Sequence, residues 1–291
     1  MSKFVALLAS GVADGAIAAI AALGFLVIYK ASGVINFAQG DLITLAGYIA
    51  VWAQTDQGWS WYWAYPFVVV AMIVVGVLLE RVAVAPLRNR PVFVVVIATL
   101  GAALAIRTLI LHWQGSDPKA VTSPLAGKLW HVAGAAISYQ RVAIVVATVA
   151  VVGGVLLMFA RTTIGRELRA TATDAETAQV YGIRTFRLST FAWGLSGALA
   201  GIAAVLVAPL GSLDTSLGFT LMLSGFAAAV LGGFGNLKGV AVAALMIGLV
   251  HQLLGGYFYP DFKDVYPFAL LIVVIAVRPE GLFAAEQRER V

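Results

Sequence analysis

Apolar stretches follow one another along almost the whole chain, and with one exception the polar interruptions between them are short. They run over about Phe4 to Tyr29, Val34 to Trp52, Pro66 to Leu79, Phe93 to Leu111, Val142 to Phe159, Phe191 to Val207, Phe219 to Leu231, Val240 to Leu254 and Tyr266 to Val277. A helical crossing of a bilayer core takes about 20 mostly apolar residues. The pattern predicts an all-α polytopic transmembrane helix bundle of about 8–9 spans, forming a single domain over residues 1–291. The second stretch opens with SGVINFAQGD, whose glycines and amides are tolerated at membrane depth only inside protein or along a water-filled path. A broken or re-entrant helix is expected there. The first stretch is longer than the apolar core of a signal peptide and contains Asp14, so it is read as a retained span.

The exception is a polar insert over about 161–188, which carries Arg161, Arg166, Arg169, Arg184 and Arg187. Within it Thr173 precedes Glu176 by three positions, the spacing of a capping box. Asp174 adds negative charge to the first turn and Gly182 supplies a stop, which predicts a short helix from Asp174 to Tyr181. Upstream, Ile164, Leu168, Ala172 and Ala175 fall at helical spacing and form an apolar stripe. Spacing alone leaves two readings open: a helix lying on lipid headgroups, or one that docks in a groove of a soluble partner.

Composition agrees with the hydropathy pattern. The chain is 61% apolar and 11% charged, against roughly 25% charged in soluble domains. The net charge of +5 does not call for nucleic acid here. The loop with Arg81, Arg88 and Arg90, the insert, and the tail with Arg278, Arg288 and Arg290 fall on one side when spans are counted. The positive-inside rule makes that side cytoplasmic, with the C-terminus inside and, for nine crossings, the N-terminus outside. The aromatic run from Trp59 to Tyr65 marks a headgroup level. Gly11 with Gly15, Gly197 with Gly201, and Gly235 with Gly239 have the spacing of close helix packing.

Candidate chemistry is sparse. Cysteine is absent and the three histidines show no metal-ligand spacing, so no metal site is expected. No nucleophile and base are arranged as a catalytic set, and no cofactor is expected in this chain. LGGFGNLKG lacks the lysine and hydroxyl ending of a phosphate loop and is read as a cytoplasmic turn, a faint echo of the early SGVINFAQGD break. Asn36, Gln39 and Asp41 are candidates for lining a translocation path, with Asp41 also placed to cap the following helix. Asp14 and Arg107 are the charges expected within spans, Arg107 about one turn from its helix end.

Four segments then carry a resemblance: ALGFLVIYKASGVINFAQGDLITLAGYIA, TTIGRELRATATDAETAQVYGI, GFAAAVLGGFGNLKGVAVAALMIGL and VRPEGLF. In this order they resemble the permease subunits of the high-affinity branched-chain amino acid ABC importer family, of LivH/LivM type. The resemblance implies an inner-membrane transport subunit and not an enzyme. Its middle segment is similar to the element that couples to the ATPase, which carries over to Gly165, Arg166, Arg169, Ala170, Asp174, Glu176, Ala178 and Gly182. It also implies a second permease subunit as a heterodimer partner and two cytoplasmic ATPase subunits holding ATP and Mg. A periplasmic substrate-binding protein and a membrane lipid environment complete the set. An ion-coupled secondary transporter using Asp14 is the alternative, and related amides, urea or aromatic acids are alternative solutes.

Overall fold

The computed structural model describes residues 2–283 apart from 89, 133, 264, 279 and 280. Eleven helices follow in order among these residues: α1 (Ser2–Ser32), α2 (Gln39–Val51), α3 (Trp61–Leu79), α4 (Val92–Gln114), α5 (Tyr139–Arg161), α6 (Thr163–Thr173), α7 (Ala175–Val180), α8 (Thr185–Val207), α9 (Leu217–Gly232), α10 (Leu237–Tyr257) and α11 (Tyr266–Val277). Between α4 and α5 lies a two-stranded antiparallel hairpin, β1 (Leu129–Val132) and β2 (Ala135–Ser138), with Leu129 opposite Ser138. Six helical segments are long and apolar enough to cross a membrane, whereas α9 and α11 are apolar but shorter. Nine apolar stretches in the sequence thus correspond to six long helices and three shorter ones, α2, α9 and α11, of which α2 continues directly into a π-helical turn over Trp52–Asp56.

Burial sorts the helices. From Ala13 to Ile28 α1 is covered almost all round, and α2 is buried at every position but Ile49. A helix that is hydrophobic on every side belongs in the centre of a bundle. By contrast α3, α4 and α5 expose Val70, Val74, Leu100, Leu104, Val146 and Val149, as lipid-facing helices do. Small residues let the central helices approach. A Cβ on Gly15 would stand 2.8 Å from the Ala244 carbonyl oxygen, so α1 and α10 cross almost backbone to backbone. Gly11 and Gly15 thereby fill their expected packing role, as do Gly197 and Gly201 against α3. Gly235 has open space at its Cα and does not.

The early break is present. Gly33, at φ +68°, ends α1 and the chain runs without helix to Ala38 before α2 begins. Freed backbone groups are met by side chains: Asn36 Oδ1 accepts the Ala38 N–H at 3.0 Å, and Thr99 Oγ1 accepts the Phe37 N–H at 3.3 Å. Asn36 thus serves the chain as it enters α2, while Asp41 lies inside the first helical turn, where negative charge suits the free N–H groups of a helix start. The Gln39 amide packs on Gly24, eight residues or about 12 Å before the end of α1. So α2 starts partway along its neighbour.

Candidate functional site

Two short helices begin side by side within the bundle. Gly40 in α2 and Gly218 in α9 are stacked so closely that a Cβ on Gly40 would lie 2.5 Å from the Gly218 carbonyl oxygen. Thr44 Oγ1 accepts the Gly218 N–H at 3.1 Å, and Asp214 Oδ1 accepts the N–H groups of Ser216 and Leu217 at 2.7 and 2.9 Å. The hydroxyl of Ser216, then the neighbouring N–H groups, hold the Asp214 carboxyl below the usual carboxylate range. The counterpart of the early break is thus GSLDTSLG at 211–218. The run LGGFGNLKG, its expected echo, is a tight turn in which Asn236 Oδ1 accepts the Lys238 and Gly239 N–H groups to start α10.

At this double helix start, Arg107 Nε meets Asp41 Oδ1 at 3.0 Å while its guanidinium lies 5.8 Å from the Phe219 ring centre. The Asp41 side chain is almost wholly covered, whereas Arg107 is 36% exposed. Because α4 continues to Gln114, Arg107 lies about two turns from the helix end and not one. A half-exposed guanidinium at that depth belongs on a face that meets protein or water, since lipid would not solvate it. Asn36 and Gln39 are fully buried instead. Ser196 Oγ donates to Gln39 Oε1 at 2.7 Å, Gln39 Nε2 donates to the Ser196 carbonyl at 3.4 Å, and Asn36 Nδ2 reaches Gln39 Oε1 at 3.5 Å. These amides join α1, α2 and α8. Asp14, on the other side of α1, accepts from Gln252 Nε2 at 2.6 Å and sits 3.3 Å from His251 Nδ1.

The polar insert forms α6 and α7. Thr162 Oγ1 caps α6 by accepting the Gly165 N–H at 3.0 Å. Gly165 is pressed against the last turn of α5, where a Cβ would stand 2.6 Å from Phe159 Cα, and Arg169 Nη1 donates to the Phe159 carbonyl. The buried stripe of α6 is Gly165, Leu168 and Thr171; Ile164, Ala172 and Ala175 are exposed. The expected capping box is replaced by a single-residue cap. Thr173 is still helical and its hydroxyl returns to the Arg169 carbonyl, so the extended Asp174 caps α7, accepting the Glu176 and Thr177 N–H groups at 3.0 Å each. Hydrogen bonds from Thr177, hydroxyl first, lower the Asp174 pKa. Gly182, at φ +84°, closes α7: its N–H reaches the Gln179 carbonyl and that of Ile183 reaches Ala178, the paired bonds of a Schellman stop. Ala178 is buried, Arg166, Ala170 and Glu176 are exposed, and Val180 and Tyr181 project at 86% and 83% exposure.

One buried charge escaped the sequence reading. Glu80, at the end of α3, is wholly covered and contacts Arg88 Nη2, with Arg81 Nε at 3.7 Å. Ser189 and Thr190 of α8 donate to it at 3.3 and 3.2 Å, and both guanidiniums stack on Phe186. The insert, the Arg81–Arg90 loop, Lys30 and the 233–236 turn share one end of the bundle; Lys30 Nζ donates to the Gly235 carbonyl at 2.9 Å. Residues 281–283 join them through the Leu282 N–H on the Leu231 carbonyl. Arg288 and Arg290 lie outside the described residues.

The fold is similar to PsaBC from Streptococcus pneumoniae in complex with Fab, at a TM-score of 0.51 and 13% identity, covering 93% of this chain and 91% of that one. The chain is 30% identical to the high-affinity branched-chain amino acid transport system permease protein BraD of Pseudomonas aeruginosa, over 98% of this chain and 97% of the relative. It is 29% identical to LivH of Escherichia coli, over 97% and 96%, and 27% identical to a probable branched-chain amino acid transport permease protein LivH of Methanocaldococcus jannaschii, over 92% and 89%. With residues 7–275 matching the family described as branched-chain amino acid transport system / permease component, this integral membrane chain belongs to that family and is a permease subunit of an ABC importer, not an enzyme.

Proposed function

We propose that the chain moves branched-chain amino acids, or related amides, urea or aromatic acids, inward across the inner membrane. It pairs with a second permease subunit as a heterodimer and is fed by a periplasmic substrate-binding protein. Two cytoplasmic ATPase subunits bind ATP and Mg and drive it. The basic end of the bundle is the cytoplasmic one, C-terminus included, by the positive-inside rule. The short α9 and α11 cross together with the six long helices, and because α1 and α3 both end at the basic end, the broken second helix returns the chain between them, giving nine passages with the N-terminus outside.

The observation that carries this reading is the form of α7. It is a helix closed at both ends, braced on α6, with an apolar tip of Val180 and Tyr181 standing free at the arginine-rich end. An exposed apolar tip on a rigid element suits a groove in a soluble partner better than water. Gly165, Arg166, Arg169, Ala170, Asp174, Glu176, Ala178 and Gly182 then serve as the coupling element, whose push reaches the membrane helices as rigid-body movement. Asp41, with Arg107, is assigned to the path between the two permease subunits, and Asn36 and Gln39 brace its wall.

The test is reconstitution in proteoliposomes with the partner permease, ATPases and binding protein, followed by uptake of labelled leucine. ATP-dependent uptake that is lost in the variant Val180→Asp/Tyr181→Asp is expected. Uptake driven by an ion gradient without the ATPases would overturn the reading.

A further inference from the structure

A cavity of about 590 Å³ lies at the basic end, between the end of α1, the loop after α3, the start of α8 and α6–α7. That volume is within the range of small-molecule sites, about 300–1,000 Å³. Lys30, Arg88 and Arg90 line it, and no carboxylate stands among its described lining residues. Glu80 answers Arg88 from behind the wall and is itself fully engaged by Arg81, Ser189 and Thr190. The charges of Lys30 and Arg90 therefore have no carboxylate partner among the described residues, and Lys30 spends one N–H on the Gly235 carbonyl. Thr171, on the α6 wall, supplies an independent sign of a ligand. It is 6% exposed, and its Oγ1 has no hydrogen-bond partner among the described residues. Buried hydroxyls are rarely left so. Much of the remaining wall is apolar, with Val34, Val95 and Phe186 among its members.

Two cations, an unspent hydroxyl and apolar walls select a particular chemistry. We propose that this cavity binds an oxyanion carried on an apolar body, a carboxylate or phosphate whose charged end meets Lys30, Arg90 and the Thr171 hydroxyl. Charge-assisted hydrogen bonds to the oxyanion supply the strong contacts, and the apolar body covers Val34, Val95 and Phe186. Such a ligand comes from one of two sources: a free apolar amino acid on the cytoplasmic side, or the headgroup and upper chain of an anionic phospholipid. Either spans from α6 to α1, so its occupancy restrains α6–α7 against the membrane helices.

The test uses the purified full chain in detergent, with thermal unfolding followed during titration by leucine or by short-chain phosphatidylglycerol. Leucinol, which lacks the carboxylate, and short-chain phosphatidylcholine, whose phosphate charge is offset by choline, serve as controls. A saturable upward shift with leucine, with phosphatidylglycerol or with both is expected, about tenfold weaker in Arg90→Gln and in Thr171→Val. A response to leucine alone assigns the free solute, and one to phosphatidylglycerol alone assigns the lipid. No saturable shift with either, shifts matched by the controls, or affinities unchanged in both variants would overturn the proposal. Arg90 is on an exposed loop and Thr171→Val is nearly isosteric, so both variants remain folded.

Discussion

Ser189 Oγ donates to the Glu80 carboxylate at 3.3 Å, joining the end of α3 to the first turns of α8 across a fully buried contact. Thr185 begins α8 only a few residues after α7 ends, so this contact ties the end of α3 to the segment that follows the polar insert. Removing the buried carboxylate leaves the Ser189 and Thr190 hydroxyls without their acceptor, beside two guanidiniums that water can reach, at a cost of about 1–3 kcal/mol. Glu80→Ala is expected to destabilise the chain by that order, while Glu80→Gln, which keeps an acceptor for Ser189 and Thr190, costs less. Thermal unfolding in detergent checks both. Equal losses would mean that charge, and not hydrogen bonding, holds the joint.

The pair Asp41 and Arg107 makes a second prediction. Neutralising either residue alone strands a charge among the helices and lowers the yield of folded protein. Asp41→Asn/Arg107→Gln removes both charges and restores folding. Leucine uptake separates the roles. Assignment to the path predicts at least tenfold slower uptake by the folded double variant; uptake at the unmodified rate would reduce the pair to a structural tie.

Helix crossings set a third expectation. A side chain at Gly248 would enter the backbone of α1 at Gly11 and Gly15. Gly248→Val therefore separates α1 from α10 and abolishes monodisperse elution in size-exclusion chromatography. Gly153→Ala, with open space around its Cα, leaves the profile unchanged and adds slightly to helix preference.

A fourth concerns pH at the cap of α7. Hydrogen bonds from Thr177 and Glu176 depress the folded-state pKa of Asp174. Its stabilising contribution is therefore present above the unfolded value and fades as pH falls through the folded one. Hydrogen exchange at the Glu176 and Thr177 amides is expected to be slow near neutrality, with protection lost only below the ordinary carboxylate range. In Asp174→Ala protection is absent at every pH. Protection equal to that of the unmodified chain would remove Asp174 from its capping role.

Local chemistry made part of this architecture readable along the chain. The break after Gly33 announced itself by glycines and amides in an apolar context, and Gly182 announced the end of α7. The cap was misplaced by one residue because Thr173 and Asp174 both suit it, and only the backbone turn decided that Asp174 is the extended one. Glu80 gave no local sign of its importance: its hydroxyl partner Ser189 is 109 residues away. Val180 and Tyr181 read as ordinary apolar positions until their exposure was known.

The apolar content and its spacing committed the chain to membrane helices, because a backbone in lipid must satisfy its own hydrogen bonds. The order of polar breaks also located the insert and the interrupted second helix. Which helices sit in the centre, where α9 starts, and which charges meet depended on tertiary packing. Asp41 and Arg107 are 66 residues apart, and nothing in the helical period of either segment relates them. They meet because small residues let helices cross closely and fix which faces turn together, a geometry that no single segment contains.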